Sequence, residues 1–502
     1  MGSSFHIENF GCRAARADGE AIAYQLEAAG HCMQPYDEAG VIIVNTCSVT
    51  AEADRAARAF IRRTHRVNPT ARIVATGCYA QRAPQELAGM AGVAAVVGNS
   101  HKALTPEIAL GLARALGPAA PSGNFVSAAA LFASTGQAAI FTDERFAHSF
   151  LEEAQVAPGT QTRPNLKIQE GCGNRCSFCV IPQTRGSSRS LPATSVLKQV
   201  EGFVAAGGNE LVLSGINLGR WGRDLSSGSG ENAEGPRTFA ELVRTILTKT
   251  ALPRLRLSSV EPMDWDEELI ALMAEYGGPA RNLCPWHDRA DSRTAPNRHG
   301  HRLARHAHLP LQSGSDAVLR RMHRRYRPWH YADKVNALKR AAGPDLTLGA
   351  DVMVGFPGET DAEFEETLQF VRALPFGYLH LFPFSPRPGT SAWALHAADP
   401  VASEAVRERM DALRALSGEK SAAHRRQFVG RQLEAITLHT SDELAAAGKT
   451  SALSENFIPL DVEGIIEANR LVRVLVSAVE ADALIADPVA ENARIPAACA
   501  AC

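Results

Sequence analysis

The stretch Glu170-Gly-Cys-Gly-Asn-Arg-Cys-Ser-Phe-Cys-Val-Ile-Pro182 places three cysteines in one short loop with the spacing C-x3-C-x2-C. Three thiolates at this spacing can bind three irons of a cubane iron–sulfur cluster, and no fourth cysteine lies nearby in sequence. One iron would keep an open position, which is where metal sites do chemistry. A structural zinc site is the alternative, but it would need a fourth cysteine or histidine at short spacing. The loop therefore predicts a reactive iron–sulfur site on Cys172, Cys176 and Cys179.

Three further cysteines, Cys12, Cys47 and Cys78, lie in the N-terminal region, and each follows a short apolar or mixed run. Helical patterns lie between these runs, as in βαβ units, so each run is predicted to be a parallel strand. Because parallel strands end at the same edge of a sheet, the three cysteines should converge where open α/β sheets place their ligands. The alternative is that they are small buried hydrophobic residues. The pattern favours a second three-thiolate site.

The composition is that of an ordinary globular protein. The 502 residues are 45% hydrophobic and 21% charged, enough chain for two to four domains with real cores. No stretch is long and apolar enough for a membrane span, and no signal-peptide pattern opens the sequence, so we expect a cytoplasmic protein without membrane contact. Ten cysteines in so long a chain do not indicate a disulfide framework, and thiolate clusters suit a reducing compartment.

Hydrophobic periodicity predicts an α/β protein of several domains. Six strand candidates alternate with helical patterns in the middle of the chain, which predicts a partial (β/α)6 barrel whose site lies at the carboxyl ends of its strands. The C-x3-C-x2-C loop follows the first of these strands. Five segments are expected: an open parallel α/β domain (1–115), a connector (116–160), the barrel (161–424) with an insertion (278–307), a small β-barrel (425–486) and a tail (487–502).

Local charge is more informative than the net charge of −2. Two arginine runs fall on predicted helices: Arg55, Arg58, Arg62, Arg63 and Arg66, and Arg320, Arg321, Arg324, Arg325 and Arg327. Positive surface near the cysteine sites makes nucleic acid a plausible partner. The alternative for either run is a solvated helix face without a ligand.

The remaining cysteines and a group of histidines carry weaker signals. The insertion is rich in His and Arg and contains Cys284, His287, His299, His301 and His306. Cys284 and His287 could begin a zinc site, but an irregular basic loop without metal is favoured because the other histidines lack a clear ligand pair. Cys499 and Cys502 have a CxxC spacing in what we expect to be a frayed tail. No role is assigned to Cys32.

Several motifs together resemble one family. The Cys172–Cys179 loop is similar to the radical S-adenosylmethionine (SAM) signature. Motifs that look like the methylthiotransferase family occur throughout the chain: Asn45-Thr-Cys-Ser-Val-Thr50, Thr76-Gly-Cys-Tyr-Ala-Gln81, Leu309-Pro-Leu-Gln-Ser-Gly-Ser315 and Val354-Gly-Phe-Pro-Gly-Glu359. The first two resemble the MtaB-type subgroup, which adds a methylthio group to C2 of N6-threonylcarbamoyladenosine at position 37 of tRNA. The chain departs from the family at Ala15 and Arg16, where Asn-Gln is usual.

The resemblance implies an N-terminal methylthiotransferase domain, a radical SAM barrel and a C-terminal TRAM domain that binds RNA. It also implies two [4Fe-4S] clusters: one on Cys172, Cys176 and Cys179, which binds SAM, and a second on Cys12, Cys47 and Cys78, which carries the sulfur. Residues expected to line the SAM pocket follow the barrel strands or adjoin the last loop cysteine: Phe178, Gly215, Asn217, Glu261 and Gln312. Each has an ordinary strand-end role as its alternative. The implied partners are the tRNA anticodon stem-loop, SAM and a reducing electron donor.

Three other functions stay open. A methylthiotransferase acting on isopentenyladenosine in tRNA would share every cluster residue, and only the residues flanking Cys47 argue against it. A sister enzyme that modifies an aspartate of a ribosomal protein would not need an arginine-rich surface. A non-enzymatic iron–sulfur or zinc protein that binds nucleic acid would explain the cysteines and arginines but not the six-strand pattern.

Overall fold

Six parallel strands form the N-terminal sheet. The computed structural model describes residues 4–115, 138–146, 151, 162–225, 235–278 and 301–489. The strands run in the order β2-β1-β3-β4-β5-β6, with β1 Ser4–Asn9, β2 Cys32–Met33, β3 Val41–Thr46, β4 Arg72–Gly77, β5 Val93–Gly98 and β6 Ala139–Phe141. The surrounding helices are α1 Arg13–Ala28, α2 Ala51–Val67, α3 Cys78–Arg82, α4 Pro84–Ala88 and α5 Thr105–Ala115.

The burial of strand β3 shows that helices cover both faces of this sheet. All six of its residues are buried, and a continuous apolar run is typical of a parallel strand between two helical layers. Ile43 belongs to the core that includes α1 and α5. Ile42 and Val44 belong to the core on the opposite face, which includes α2 and α3.

The N-terminal sheet extends beyond the expected boundary at residue 115. Ala139–Phe141, inside the stretch 116–160 expected to be a connector, is parallel to β5, with Ala95 opposite Ala139. Three residues are too few to show a strand periodicity, and the surrounding sequence is rich in alanine, so the pattern does not predict this strand. The rest of the expected connector lies outside the described residues, apart from 138–146 and residue 151.

The middle of the chain is the expected partial barrel. Its strands are β7 Asn165–Glu170, β8 Arg189–Ser190, β9 Glu210–Gly215, β10 Arg254–Leu257, β11 His306–His308, β12 Thr347–Val354 and β13 Tyr378–Pro383. Two sheets, β10-β9-β7-β8 and β11-β12-β13, are joined by single parallel bridges, Leu255 to Leu303 and Ser259 to His308. Short β8 is antiparallel to β7. Within the described residues, β13 and β7 are not paired, so the six-strand barrel is open there.

Nine helices of the described chain accompany these strands. They are α6 Ile181–Arg185, α7 Ala193–Ala205, α8 Phe239–Lys249, α9 Glu267–Gly277, α10 Asp316–Arg321, α11 Pro328–Ala342, α12 Asp361–Ala373, α13 Ser391–Ala398 and α14 Ser403–Arg426. Two of them, α8 and α12, begin with capping boxes in which a threonine hydroxyl and a glutamate side chain satisfy free backbone N–H groups.

The expected insertion ends earlier than residue 307. His306–His308 is barrel strand β11, and its residues are buried, so His306 is not part of an irregular basic loop. His301 is half-buried beside the barrel, and its backbone N–H donates to Glu434. A histidine alternating with alanine is hard to recognise as a buried strand, because histidine is more often found at surfaces. Residues 279–300, with Cys284, His287 and His299, and the tail with Cys499 and Cys502 lie outside the described part of the chain.

The C-terminal region is a closed five-stranded barrel, as expected. The strand order is β14-β15-β16-β18-β17, which closes the sheet and removes its edges. The elements are β14 Gln432–Thr437, α15 Asp442–Ala446, β15 Lys449–Ser454, β16 Pro459–Glu463, β17 Leu471–Glu480 and β18 Ala483–Pro488. Strand β18 runs past the expected boundary at residue 486.

The turn between β15 and β16 inserts into the base of the larger barrel. The Phe457 ring lies 4.4 Å from the His306 ring and 5.6 Å from the Tyr378 ring, measured between centroids. Next to it, Arg256 Nη2 donates to the Ser454 carbonyl at 3.1 Å. His306 and Tyr378 are the first residues of β11 and β13, and Arg256 belongs to the short strand β10, so the small barrel covers the amino-terminal ends of β11 and β13.

A buried ionic network joins the N-terminal domain to the larger barrel. Asp18 of α1 accepts hydrogen bonds from Lys102, Lys167 and Arg185, and Arg185 Nη1 also donates to Glu170 at 2.5 Å. Asp18, Lys102, Lys167 and Arg185 are fully buried. Burial raises the pKa of Asp18, but the three cations outweigh burial and hold that pKa well below its ordinary value.

Replacing Asp18 by Asn should destabilise the protein by about 3–5 kcal/mol, because buried Lys102 and Lys167 would lose their shared carboxylate. Glu27→Gln, an exposed change on the same helix, should cost less than about 0.5 kcal/mol. Thermal unfolding midpoints measure both. Since the pKa of Asp18 is depressed in the folded state, the wild-type advantage should persist at neutral pH and shrink as the pH falls toward that depressed pKa. Equal midpoints for the two variants would contradict this role.

Candidate active site

The loop that follows β7 is held by the segment after α10. Ser177 donates through its backbone N–H to the Met322 carbonyl and through its hydroxyl to the Arg321 carbonyl. Gly171, at the start of the loop, has φ +70°, and a Cβ there would lie 2.0 Å from the Ser187 carbonyl oxygen. A glycine is therefore required for the loop to turn beside the backbone at Ser187.

Two side chains point donors at the sulfur atoms of this loop. Asn217 Nδ2 lies 3.4 Å from Cys172 Sγ, and Arg324 Nη1 lies 3.3 Å from Cys176 Sγ. Burial raises the pKa of Cys179 to about 12, so this thiol would stay protonated at neutral pH on its own. A metal cluster brings the positive charge that makes such a thiol a thiolate. Three cysteines with donors aimed at their sulfurs fit an iron–sulfur cluster.

The N-terminal cysteines converge as the strand pattern predicts. Cys12 immediately precedes α1, Cys47 follows β3, and Cys78 follows β4. Gly11 has φ +107°, and a Cβ there would lie 2.2 Å from Cys47 Cβ, so only glycine lets these two segments approach. Burial, together with nearby Cys12 and Cys78, raises the pKa of Cys47 to about 12. This second set also fits a site that needs metal to hold its thiolates.

A cavity of about 510 Å³ is lined by all three loop cysteines and by Cys12 of the N-terminal set. Asn99 connects the two sets: its Nδ2 lies 3.3 Å from Cys78 Sγ and donates to the Thr184 carbonyl at 2.8 Å. Thr184 belongs to α6, which directly follows the C-x3-C-x2-C loop. Residues that sequence analysis assigned separately therefore share one space.

All five expected pocket residues line this cavity: Phe178, Gly215, Asn217, Glu261 and Gln312. Glu261 accepts from Arg324 Nη2 at 2.6 Å. Gln312 has φ +66°, a backbone conformation that residues other than glycine rarely adopt. Its buried Oε1, like Asn217 Oδ1, has no hydrogen-bond partner among the described residues. Buried amide oxygens without partners in a cavity wall indicate places for ligand donors.

Sequence analysis missed a polar cluster inside the barrel. His308 Nε2 and His380 Nδ1 each lie 3.2 Å from Asp351 Oδ1, and all three residues line the cavity. The Tyr378 hydroxyl lies 3.0 Å from His308 Nδ1 and 2.7 Å from His306 Nε2. Alternation of the polar side chains in His306-Ala-His308 and Tyr378-Leu-His380 was the available signal, since every second residue of a barrel strand faces inward.

The spacing of the donor atoms also bears on zinc. Over the described chain, His308, Asp351 and His380 form the only group of three or more His, Cys, Asp or Glu residues with donor atoms within 4.8 Å of one another. Neither cysteine triplet meets that spacing, which disfavours a preformed single-ion site and suits a cubane, where each thiolate binds a different iron. Burial raises the pKa of Asp351, but hydrogen bonds from His308 and His380 hold it well below its ordinary value.

The second arginine run is not a free surface. Four of its arginines pair with carboxylates: Arg320 and Arg327 with Asp316, Arg321 with Glu363, and Arg324 with Glu261. Arg320 and Arg325 are exposed, and Arg320 is the one of these two that pairs with a carboxylate, Asp316. On α2, by contrast, Arg55, Arg62 and Arg66 are exposed. Spacing along a sequence cannot reveal such pairing, because the carboxylates come from other elements.

Comparisons with known proteins place this geometry in a family. Residues 4–98 match the model described as Uncharacterized protein family UPF0004, and residues 298–371 match the Radical SAM superfamily. The chain is 34% identical to the threonylcarbamoyladenosine tRNA methylthiotransferase MtaB of Bacillus subtilis (strain 168), covering 92% of this chain and 90% of that protein. The chain belongs to the radical SAM tRNA methylthiotransferase family. The MtaB of Aquifex aeolicus (strain VF5) is 31% identical over 94% of this chain and 99% of that protein.

Relatives named for a second activity are about as similar to this chain in sequence. The tRNA-2-methylthio-N(6)-dimethylallyladenosine synthase of Parafrankia sp. (strain EAN1pec) is 33% identical over 87% of this chain and 78% of that protein. Among solved structures, the radical S-adenosylmethionine methyltransferase TsrM from Kitasatospora setae has a TM-score of 0.50 at 16% identity, covering 78% of this chain and 77% of that one. This likeness concerns the fold.

Membership in the radical SAM tRNA methylthiotransferase family implies SAM, a [4Fe-4S] cluster and a tRNA substrate. Cys172, Cys176 and Cys179 have the donors and the open cavity that such a cluster requires. Over the part of the chain that the structure describes, no helix combines the length and the apolar character needed to cross a bilayer.

Anaerobically reconstituted protein should bind about eight irons, because two three-cysteine sites would each hold four. Replacing Cys12, Cys47 and Cys78 together by Ala should leave about four irons and retain reductive cleavage of SAM, while methylthio transfer disappears. Cys176→Ala should abolish SAM cleavage and spare the other site. Cys32→Ala is the matched control, since exposed Cys32 lies outside both sets. A triple variant that still transfers sulfur would contradict the second site.

Proposed function

We propose that this protein adds a methylthio group to C2 of N6-threonylcarbamoyladenosine at position 37 of tRNA. The observation that carries the proposal is that Cys12 lines the same cavity as Cys172, Cys176 and Cys179. A single aromatic C–H bond could then be reached from both cysteine sets. Carboxylate or histidine acid–base chemistry alone does not activate such a bond, which fits the radical SAM family.

In this proposal the loop cysteines hold one [4Fe-4S] cluster, and Cys12, Cys47 and Cys78 hold a second. When bound, the first cluster and SAM supply a radical that can take hydrogen from an aromatic carbon, and the second cluster supplies sulfur. Arg324 and Glu261 form an ion pair that fixes Arg324 against Cys176 Sγ. The unpartnered amide oxygen of Gln312 is available to accept a hydrogen bond from a ligand in the cavity.

The cavity floor favours a polar substituent on the adenosine. His308, Asp351, His380 and Arg13 line the cavity, whereas an isopentenyl group would be best matched by an apolar pocket. A threonylcarbamoyl group carries a carboxylate, a hydroxyl and amide groups that such residues can bind. Isopentenyladenosine remains the second candidate, because relatives of nearly equal identity carry that activity in their names.

The tRNA would contact exposed Arg55, Arg62 and Arg66 of α2 and the C-terminal barrel, which we propose acts as the TRAM-like RNA-binding domain. A low-potential reductant of the cytoplasm would supply the electron. Because the β15–β16 turn fills the base of the radical barrel, the C-terminal barrel supports the cavity as well. Its removal is therefore expected to disturb the radical site, although both cysteine sets lie upstream.

Substrate choice can be measured directly with anticodon stem-loop RNAs. One RNA carries N6-threonylcarbamoyladenosine, one carries isopentenyladenosine and one carries plain adenosine. With reconstituted protein, SAM and a chemical reductant, mass spectrometry of the digested nucleosides should detect the methylthio product of the first RNA alone. Conversion of the isopentenyl RNA instead would overturn the proposed substrate while leaving the family chemistry intact.

A further inference from the structure

Arg13 is the one arginine or histidine of the cavity lining that forms no ion pair with a carboxylate within the described residues. Arg324 is paired with Glu261, and His308 and His380 both hydrogen bond to Asp351. Arg13 is half-buried, and its guanidinium lies over the Phe457 ring, 5.6 Å from Cζ to the ring centroid. A guanidinium partly removed from water without a counter-ion is costly. This residue is therefore prepared for an anion that enters the cavity.

The surroundings of Arg13 show where that anion would lie. Arg13 directly follows Cys12, and both residues line the cavity. The Phe457 ring makes cation–π contacts with the guanidinium groups of both Arg13 and Arg256. Arg256 itself is neutralised by Glu210, at 2.8 Å, so it does not compete for a ligand. Asp351 attracts Arg13 at longer range, but its carboxylate is hydrogen-bonded to two imidazoles and forms no ion pair with Arg13.

Purine geometry connects this position to the substrate. C2 and C6 of adenine both flank N1, so a substituent on N6 lies on the same edge of the base as C2. If Cys12 helps to hold the sulfur that C2 receives, the neighbouring residue faces that edge. We propose that Arg13 binds the carboxylate of the N6-threonylcarbamoyl group and thereby selects it over an uncharged N6 substituent. This inference rests on the proposed function.

The test compares two RNAs that differ only in that charge. One stem-loop carries N6-threonylcarbamoyladenosine, and the other carries the same nucleoside with its carboxylate converted to a methylamide. Wild-type protein should prefer the carboxylate by about 10- to 100-fold in kcat/KM, the range for a hydrogen-bonded charged pair. Arg13→Gln should lose that factor on the carboxylate RNA and keep the wild-type value on the amide.

Two controls separate carboxylate binding from damage to the neighbouring cluster. Arg16→Gln changes an exposed arginine one turn further along α1 and should keep the wild-type preference. Arg13→Lys retains the charge and should recover part of it. The ratio of kcat/KM on the two RNAs is compared in every variant, because damage to a cluster would lower both values by the same factor and leave that ratio unchanged.

The outcomes distinguish the inference from the proposed function. If wild-type protein converts both RNAs equally well, or if Arg13→Gln lowers kcat/KM by the same factor on both, the inference is wrong while the threonylcarbamoyl substrate stands. If wild-type protein converts only isopentenyl RNA, the proposed function and the inference fall together. Loss of preference in Arg13→Gln, with normal SAM cleavage, is the result that supports carboxylate selection.

Discussion

The buried contact between Asp18 and its three cations determines how the two chemical halves of this protein meet. Asp18 and Lys102 belong to the N-terminal domain, and Lys167 and Arg185 belong to the barrel. Asp18 lies on the helix that Cys12 precedes, and Arg185 lies on the helix after the radical loop. Because buried charges tolerate little displacement without losing their partners, this network fixes the relative position of the two cysteine sets. A reaction that needs both sets at one carbon requires such a constraint.

Charge and burial also determine the state of the cysteines. Burial raises the pKa of Cys47 and of Cys179 to about 12, which favours the protonated thiols, and the folded protein supplies only local positive charge, such as Arg324 beside Cys176. Cys47 and Cys179 would therefore be thiolates at neutral pH only beside a bound metal. The cavity has apolar and polar regions, with Phe178 beside the radical loop and His308, Asp351 and His380 inside the barrel.

Much of this arrangement could be predicted from sequence, for identifiable reasons. Strands of parallel sheets are continuous apolar runs, and cysteines placed after them must converge, so Cys12, Cys47 and Cys78 were found although they are far apart in the chain. The Asp18 network was not found, because Asp18, Lys102, Lys167 and Arg185 share no spacing. Ala139–Phe141 was too short to show a period. The second arginine run suggested a nucleic-acid surface, yet its carboxylate partners Asp316, Glu363 and Glu261 neutralise most of it.

Phe457 has a consequence for the modularity of this protein. Domains that bind RNA are commonly pictured as separable attachments that can be exchanged between enzymes. Here the small barrel contributes the Phe457 ring to the base of the larger barrel, where it packs on His306, Tyr378 and two arginines, one of which, Arg13, lines the cavity. A transplanted barrel without an aromatic residue at that turn would leave a hole beside Arg13 and His306. Recombination at the domain boundary after α14 is therefore limited by packing, and the C-terminal barrel is inherited together with the larger barrel whose base it fills.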